Sequence, residues 1–138
     1  MKVYFDSSAI MRVVLGDPGR IRDWKNFQKA VTSDLTEVEC LRTIDRFRLH
    51  NGLPESEVAI RRADLYRLLS GMEMVEISRG VLNRASEPFP VSLGTLDAIH
   101  LATALLWQEE RQTDLVMATH DQALARAAQA YGMETIGS

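Results

Sequence analysis

Cysteine is nearly absent: Cys40 is the only one in 138 residues. That excludes an intrachain disulfide and a zinc site built on clustered thiolates, and it suits a reducing cytoplasm. Long apolar runs are missing too. None nears the roughly eighteen residues needed to cross a bilayer, so no membrane role is expected. The N-terminus, MKVYFDSSAI, reaches Asp6 too early to hold the apolar core of a secretory signal. Lysine is confined to Lys2, Lys25 and Lys29. Nor does one sign of charge dominate: 16 basic residues stand against 19 acidic ones, a net of −3. This argues against a protein that coats duplex DNA by neutralising phosphates. It leaves room for an enzyme acting on nucleic acid, because a bound metal supplies positive charge that side chains lack. With no repeat, low-complexity tract or linker, residues 1–138 read as a single domain long enough to bury a core.

What the chain does contain is an alternation of strand-like and helix-like stretches. KVYF (Lys2–Phe5), KAVT (Lys29–Thr32), MVEI (Met74–Ile77) and LVMAT (Leu115–Thr119) read as strands, with ETI near the end as a short edge strand. The first and last of the four are continuously apolar, as strands covered on both faces are. Between them, SSAIMRVVL runs to Gly16, and Ser33 N-caps a helix that closes at Asn51–Gly52. Leu35, Val38, Leu41 and Ile44 recur every three residues as its expected apolar stripe. Pro54 suits a first helical position ahead of ESEVAIRRADLYRLLS, and Asp121 opens a helix closed by Gly132. This order predicts an α/β fold with a mainly parallel central sheet.

On that map the acids form a pattern. Asp6 follows the first strand, Glu39 lies in the helix after the second, Asp97 sits in the first turn of the apolar helix TLDAIHLATALL, and Asp121 follows the last long strand. Sites in open α/β sheets gather beyond the carboxyl ends of the strands, so four segments could deliver four carboxylates to one edge. Taken singly, each has an ordinary explanation. Asp6 and Asp121 could be helix caps, Asp97 could answer a helix dipole, and Glu39 could face solvent beside Arg42. Taken together, close carboxylates raise one another's pKa unless a cation neutralises them. All-oxygen ligands select Mg2+ or Mn2+, ions suited to phosphodiester hydrolysis.

VYFDSSAI, TSDLTEVE, TLDAIHLATA and MATHDQALARAAQAYG, in this order, resemble the PIN-domain ribonucleases, and most of all the VapC-type toxins of toxin–antitoxin pairs. The resemblance covers nearly the whole chain, and LDAIHLATA is its most specific block. It implies a three-layer α/β/α PIN-like fold and Mg2+- or Mn2+-dependent cleavage of RNA. It also implies a cognate antitoxin that inhibits at or near the active-site groove, and a homodimer. Residue by residue, Asp6, Glu39 and Asp97 match the family's three core acids, and Asp121 matches a more variable fourth. Ser8 matches the small hydroxyl residue that orients the first acid, and Thr119 the polar residue before the last one.

Other residues have weaker claims. Arg42, Arg46 and Arg48, with Arg61, Arg62 and Arg67, could contact phosphates, although arginines at helical spacing are more often a solvated face. His100 could touch substrate or pack in the core with one satisfied hydrogen bond. His120 could act as a general acid, a role not needed where a metal-bound water serves. Trp24, Phe27 and Trp107 read as core or interface anchors. Ser56–Ser70, with Ile60, Leu65, Leu68 and Leu69, could line a dimer or antitoxin surface or cover its own core. Two rival functions stand beside the nuclease. One is a PIN-like module that binds RNA or protein without cutting. The other is a phosphoaspartyl phosphatase using Asp6, which would want a second aspartate where Ser8 stands and a downstream lysine.

Overall fold

Strand β1 (Lys2–Phe5) lies at the centre of a five-stranded parallel sheet, a position its apolar sequence requires because both of its faces are covered. A computed structural model describes residues 1–22 and 26–138. The other strands are β2 (Lys29–Ser33), β3 (Glu73–Val75), β4 (Val116–Ala118) and β5 (Thr135–Ile136), in the spatial order β3-β2-β1-β4-β5. Tyr4 pairs with Val31 on one side and Met117 on the other. The helices are α1 (Ser7–Val14), α2 (Asp34–Asn51), α3 (Glu55–Ser70), α4 (Arg79–Ala85), α5 (Thr95–Arg111) and α6 (Gln122–Ala130).

Alternation along the strands divides the interior into two cores. Val3, Phe5, Val116 and Ala118 face α1, α2 and α3, packing with Ile10, Ile44 and Leu65. Tyr4, Val31 and Met117 face the opposite way, onto Leu101, Trp107 and Leu124 of α5 and α6. This is the three-layer α/β/α arrangement that the family resemblance implies, built on the parallel sheet expected from the order of elements.

Local chemistry sets the helix ends. Asp6, Ser33, Ser78 and Asp121 each accept a backbone N–H from the first turn of the helix they precede. Helix α2 stops where Gly52 turns to φ 64, in the left-handed region that an L side chain resists. Pro54 stands just before α3 rather than inside it. The strand expected over Met74–Ile77 is shifted and shorter, because the chain leaves the sheet edge after Val75.

The expected stripe on α2 is corrected. The buried face is Thr36, Cys40 and Ile44, four residues apart, and Val38 is 56% exposed. Thr36 enters the core because Thr32 donates its hydroxyl to it at 2.8 Å. Leu65, Leu68 and Leu69 of α3 cover their own core, while Ile60 and Tyr66 of that stretch are exposed. Phe27 packs against the first core and Trp107 is buried in the second, while Trp24 lies outside the described residues. Among the described residues no helix is long and apolar enough to cross a membrane.

Candidate active site

The strand order reverses between β1 and β4, since successive strands run outward from β1 in one direction and then resume on its other side. In doubly wound sheets ligands bind at the carboxyl ends of the strands where this reversal opens a crevice. Asp6 leaves β1 there, and Thr119, His120 and Asp121 leave β4 beside it. The Asp6 amide donates to the Ala118 carbonyl, continuing the ladder up to the point where the two chains part.

Asp6 is 2% exposed and held by three donors. Its Oδ1 accepts from the Ser8 hydroxyl at 2.7 Å and the Ala9 amide at 3.0 Å, and its Oδ2 accepts from the Thr119 hydroxyl at 2.5 Å. Ser8 and Thr119 are tied down in turn. Ser8 Oγ accepts the His120 amide at 2.9 Å, and Thr119 Oγ1 accepts the Asp121 amide at 3.0 Å. One aspartate thereby caps α1 and clamps the β4–α6 turn. The capping role and the site role expected of Asp6 are the same hydrogen bonds.

Asp97, half-buried in the first turn of α5, reports on its neighbours. Burial first, then the charges of Asp121, Asp6 and Glu39, push its carboxyl from the ordinary 3.8 up to about 6. All four acids therefore share one electrostatic neighbourhood, although 91 residues separate Asp6 from Asp97 (97 − 6). Asp121 uses Oδ1 to accept the Leu124 amide at 2.9 Å as the cap of α6. Glu39, on α2, gives Oε1 to His100 Nε2 at 2.5 Å.

The arrangement is an open one. Among the described residues, no three Asp, Glu, His or Cys side chains are grouped tightly enough to hold an ion by themselves. Magnesium keeps several waters and needs only one or two direct carboxylates. An all-oxygen donor set, with one carboxyl raised by burial and then by neighbouring acids, fits a hydrated hard cation rather than zinc. Asp6 and Asp97 would be its nearest holders.

Arg42 and Arg46 line a groove with Ser8, Glu39, Val38 and Leu96. Arg42 makes a 3.4 Å contact with Asp45, and Arg46 donates to Thr43. The other arginines are engaged elsewhere. Arg48 bonds Asp45, Arg61 bonds the Val14 carbonyl, Arg62 bonds Tyr66 and Arg67 bonds Asp64. His100 is not placed to touch substrate. It is 1% exposed, and both ring nitrogens are engaged, Nδ1 with the Tyr4 hydroxyl at 2.7 Å. His120 turns its Nδ1 to the Gly137 carbonyl at 2.6 Å, and among the described residues its buried Nε2 has no partner. Of the lysines a phosphoaspartyl site would use, Lys2 bonds Thr113 and Lys29 pairs with Glu73, while Lys25 lies outside the described residues.

The PIN domain family model matches residues 3–130. The chain belongs to the PIN-domain family. Two Mycobacterium tuberculosis proteins resemble this PIN domain along most of their length. It is 32% identical to Ribonuclease VapC46, covering 97% of this chain and 95% of that protein, and 29% identical to Ribonuclease VapC47, covering 96% and 94%. Among solved structures, a toxin–antitoxin complex from Klebsiella pneumoniae superposes with a TM-score of 0.67 at 16% identity, covering 94% of each chain. A Pyrobaculum aerophilum protein gives 0.65 at 22% identity, covering 99% of this chain and 84% of that one. At those identities the structures speak for the fold. The resemblance read from the motifs, to VapC-type PIN ribonucleases, is what the sequence relatives carry in their names.

The motifs could not show the groove wall. Val38 and Leu96 are exposed apolar residues on two helices, and each looks like ordinary core patterning until the fold brings them together.

Proposed function

We propose that this PIN domain, spanning residues 1–138, is a metal-dependent endoribonuclease and the toxin of a toxin–antitoxin pair. Its proposed site is Asp6, Glu39, Asp97 and Asp121, taking Mg2+ or Mn2+. The observation that carries the reading is the Asp97 carboxyl, raised to about 6 by burial and by three acids from other segments of the chain. Clustered charge of this kind destabilises the apoprotein and makes sense as a cation seat. The ribonuclease names of both sequence relatives and the toxin–antitoxin neighbour support the same reading.

When bound, a divalent ion polarises a phosphate oxygen and offsets the charge that develops as the phosphodiester is attacked. The chain's own residues do the rest. Asp6 cannot swing, because Ser8, Ala9 and Thr119 fix both of its oxygens. Asp97 offers a carboxylate from the rigid first turn of α5, and Asp121 completes the negative pocket. Glu39 keeps one oxygen on His100 and turns the other to orient the attacking water and accept its proton. Arg42 and Arg46 give up weak surface contacts to meet phosphates of the RNA along the groove. The antitoxin is a protein partner of the same cleft, and a homodimer is the expected assembly.

The test is cleavage of total tRNA and rRNA by nuclease-free protein, with Mg2+ or Mn2+, with chelator, and with Asp6→Asn. Cleavage that needs the metal and vanishes in the variant is expected. Equal turnover by Asp6→Asn would refute the assignment. Growth arrest on expression, relieved by a small protein encoded beside the gene, tests the toxin role.

A further inference from the structure

A chain of hydrogen bonds runs from the middle of the sheet out to the acidic cleft. Tyr4, on the central strand, is fully buried, and its hydroxyl lies 2.7 Å from His100 Nδ1. His100, equally buried on α5, places Nε2 2.5 Å from Glu39 Oε1. Beyond the bond that Glu39 keeps to His100, the inner two members take no part in the chemistry proposed above. A leucine and a phenylalanine would fill the same space without a buried hydroxyl and imidazole that must both be matched.

The chemistry of the groups dictates the direction of the chain. A carboxylate only accepts, so His100 Nε2 carries the proton that meets Glu39. In a neutral imidazole Nδ1 is then an acceptor, and Tyr4 must donate to it. The 2.7 Å separation of the buried Tyr4 hydroxyl from Nδ1 is the length of such an O–H to N bond. Each member has one role consistent with the others.

Glu39 has most need of such a support. It is a long, partly exposed side chain on α2, with three rotatable bonds to fix. A reacting group must be held within about half an ångström to be useful. Among the described residues, nothing but His100 hydrogen-bonds its carboxylate.

We propose that Tyr4 and His100 are positioning residues for RNA cleavage: Tyr4 locks His100 with its proton on Nε2, and His100 pins one oxygen of Glu39 so that the other faces the cleft. This rests on the nuclease reading.

A double-mutant cycle with steady-state kinetics tests it. His100→Leu should lower kcat by about 10- to 100-fold, the range typical of residues that orient a metal site's ligands, with KM for RNA within about twofold of wild type. Added to Glu39→Gln, it should cost no more than about twofold further, because the group it acts through is already gone. His100→Gln, which keeps a donor for Glu39, should recover part of the rate. Tyr4→Phe should lower kcat with KM unchanged.

Nitrogen-15 NMR of the metal-free protein supplies a readout that needs no activity. Wild-type His100 should show the Nε2–H tautomer, and Tyr4→Phe should show a mixture. Multiplicative losses in the cycle, or an Nδ1–H tautomer in the wild type, would overturn the inference. If Asp6→Asn cuts RNA as fast as wild type, the nuclease reading falls. The tautomer would still decide whether the chain holds Glu39.

Discussion

Asp97→Asn should stabilise the metal-free protein at neutral pH, an unusual direction for a substitution in a partly buried site. Moving a carboxyl from 3.8 to about 6 is worth roughly 3 kcal/mol against the folded state, at about 1.36 kcal/mol per pH unit. Asp97 is only half-buried, so solvent screening reduces this to roughly 1 kcal/mol. The sign follows from linkage. The raised group favours the fold while protonated, and that advantage is complete below pH 3.8 and lost as pH rises through about 6. Asparagine carries no charge to lose. In chelator the variant should therefore match wild type near pH 4 and gain as pH climbs. Above pH 7 it should melt roughly 3–5 °C higher for a domain of this size. Saturating Mn2+ should erase or invert the difference, because the ion binds the native wild type far better than the variant. Thermal unfolding at matched ionic strength, with and without chelator, measures all of this. A variant less stable than wild type at pH 7.5 in chelator would refute the charge-cluster reasoning.

Asp6→Asn should lose RNA cleavage by at least about a hundredfold while keeping its circular dichroism spectrum, since asparagine caps a helix as well as aspartate does. Gly137→Ala should destabilise the β5 edge by about 1–3 kcal/mol, read from chemical denaturation. Gly137 has φ +94, and a Cβ there would meet the Thr119 carbonyl at 2.8 Å. Cys40 is fully buried, and burial followed by the charges of Glu39 and Asp6 pushes its thiol up. It should therefore resist thiol reagents until the protein unfolds, and prompt labelling of the native state would contradict its placement.

Legibility in the sequence tracked how local the physics was. Strands β1 and β4 could be read because burial on both faces leaves a continuous apolar run. The caps at Ser33 and Asp121 could be read because capping involves residues two or three apart. Helix α4 went unseen, since it has seven residues and a single buried side chain, Val81. The α2 stripe departs from its apolar spacing because Thr36 is polar by type yet satisfied inside the core by Thr32, while Val38 is apolar yet lines the groove.

The candidate site divided along the same line. Asp6, Asp97 and Asp121 stood out by position at strand ends and helix starts. Ser8 and Thr119 were read through family resemblance, and the fold wires both to Asp6. His100 could not be placed, because its partners Tyr4 and Glu39 are 96 and 61 residues away. Nothing in the local pattern DAIH separates a packed histidine from one reaching across the sheet. The groove arginines were equally opaque, since Arg42 and Arg61 look alike until α2 proves to border the cleft and α3 to lean on the Val14 carbonyl.

The most direct measurement is anomalous diffraction from crystals grown with Mn2+. One strong peak in the crevice beyond β1 and β4, within reach of Asp6 and Asp97 and absent in Asp6→Asn, is the predicted result. A crevice with no manganese at millimolar concentration, in crystals whose four acids are well ordered, would contradict it.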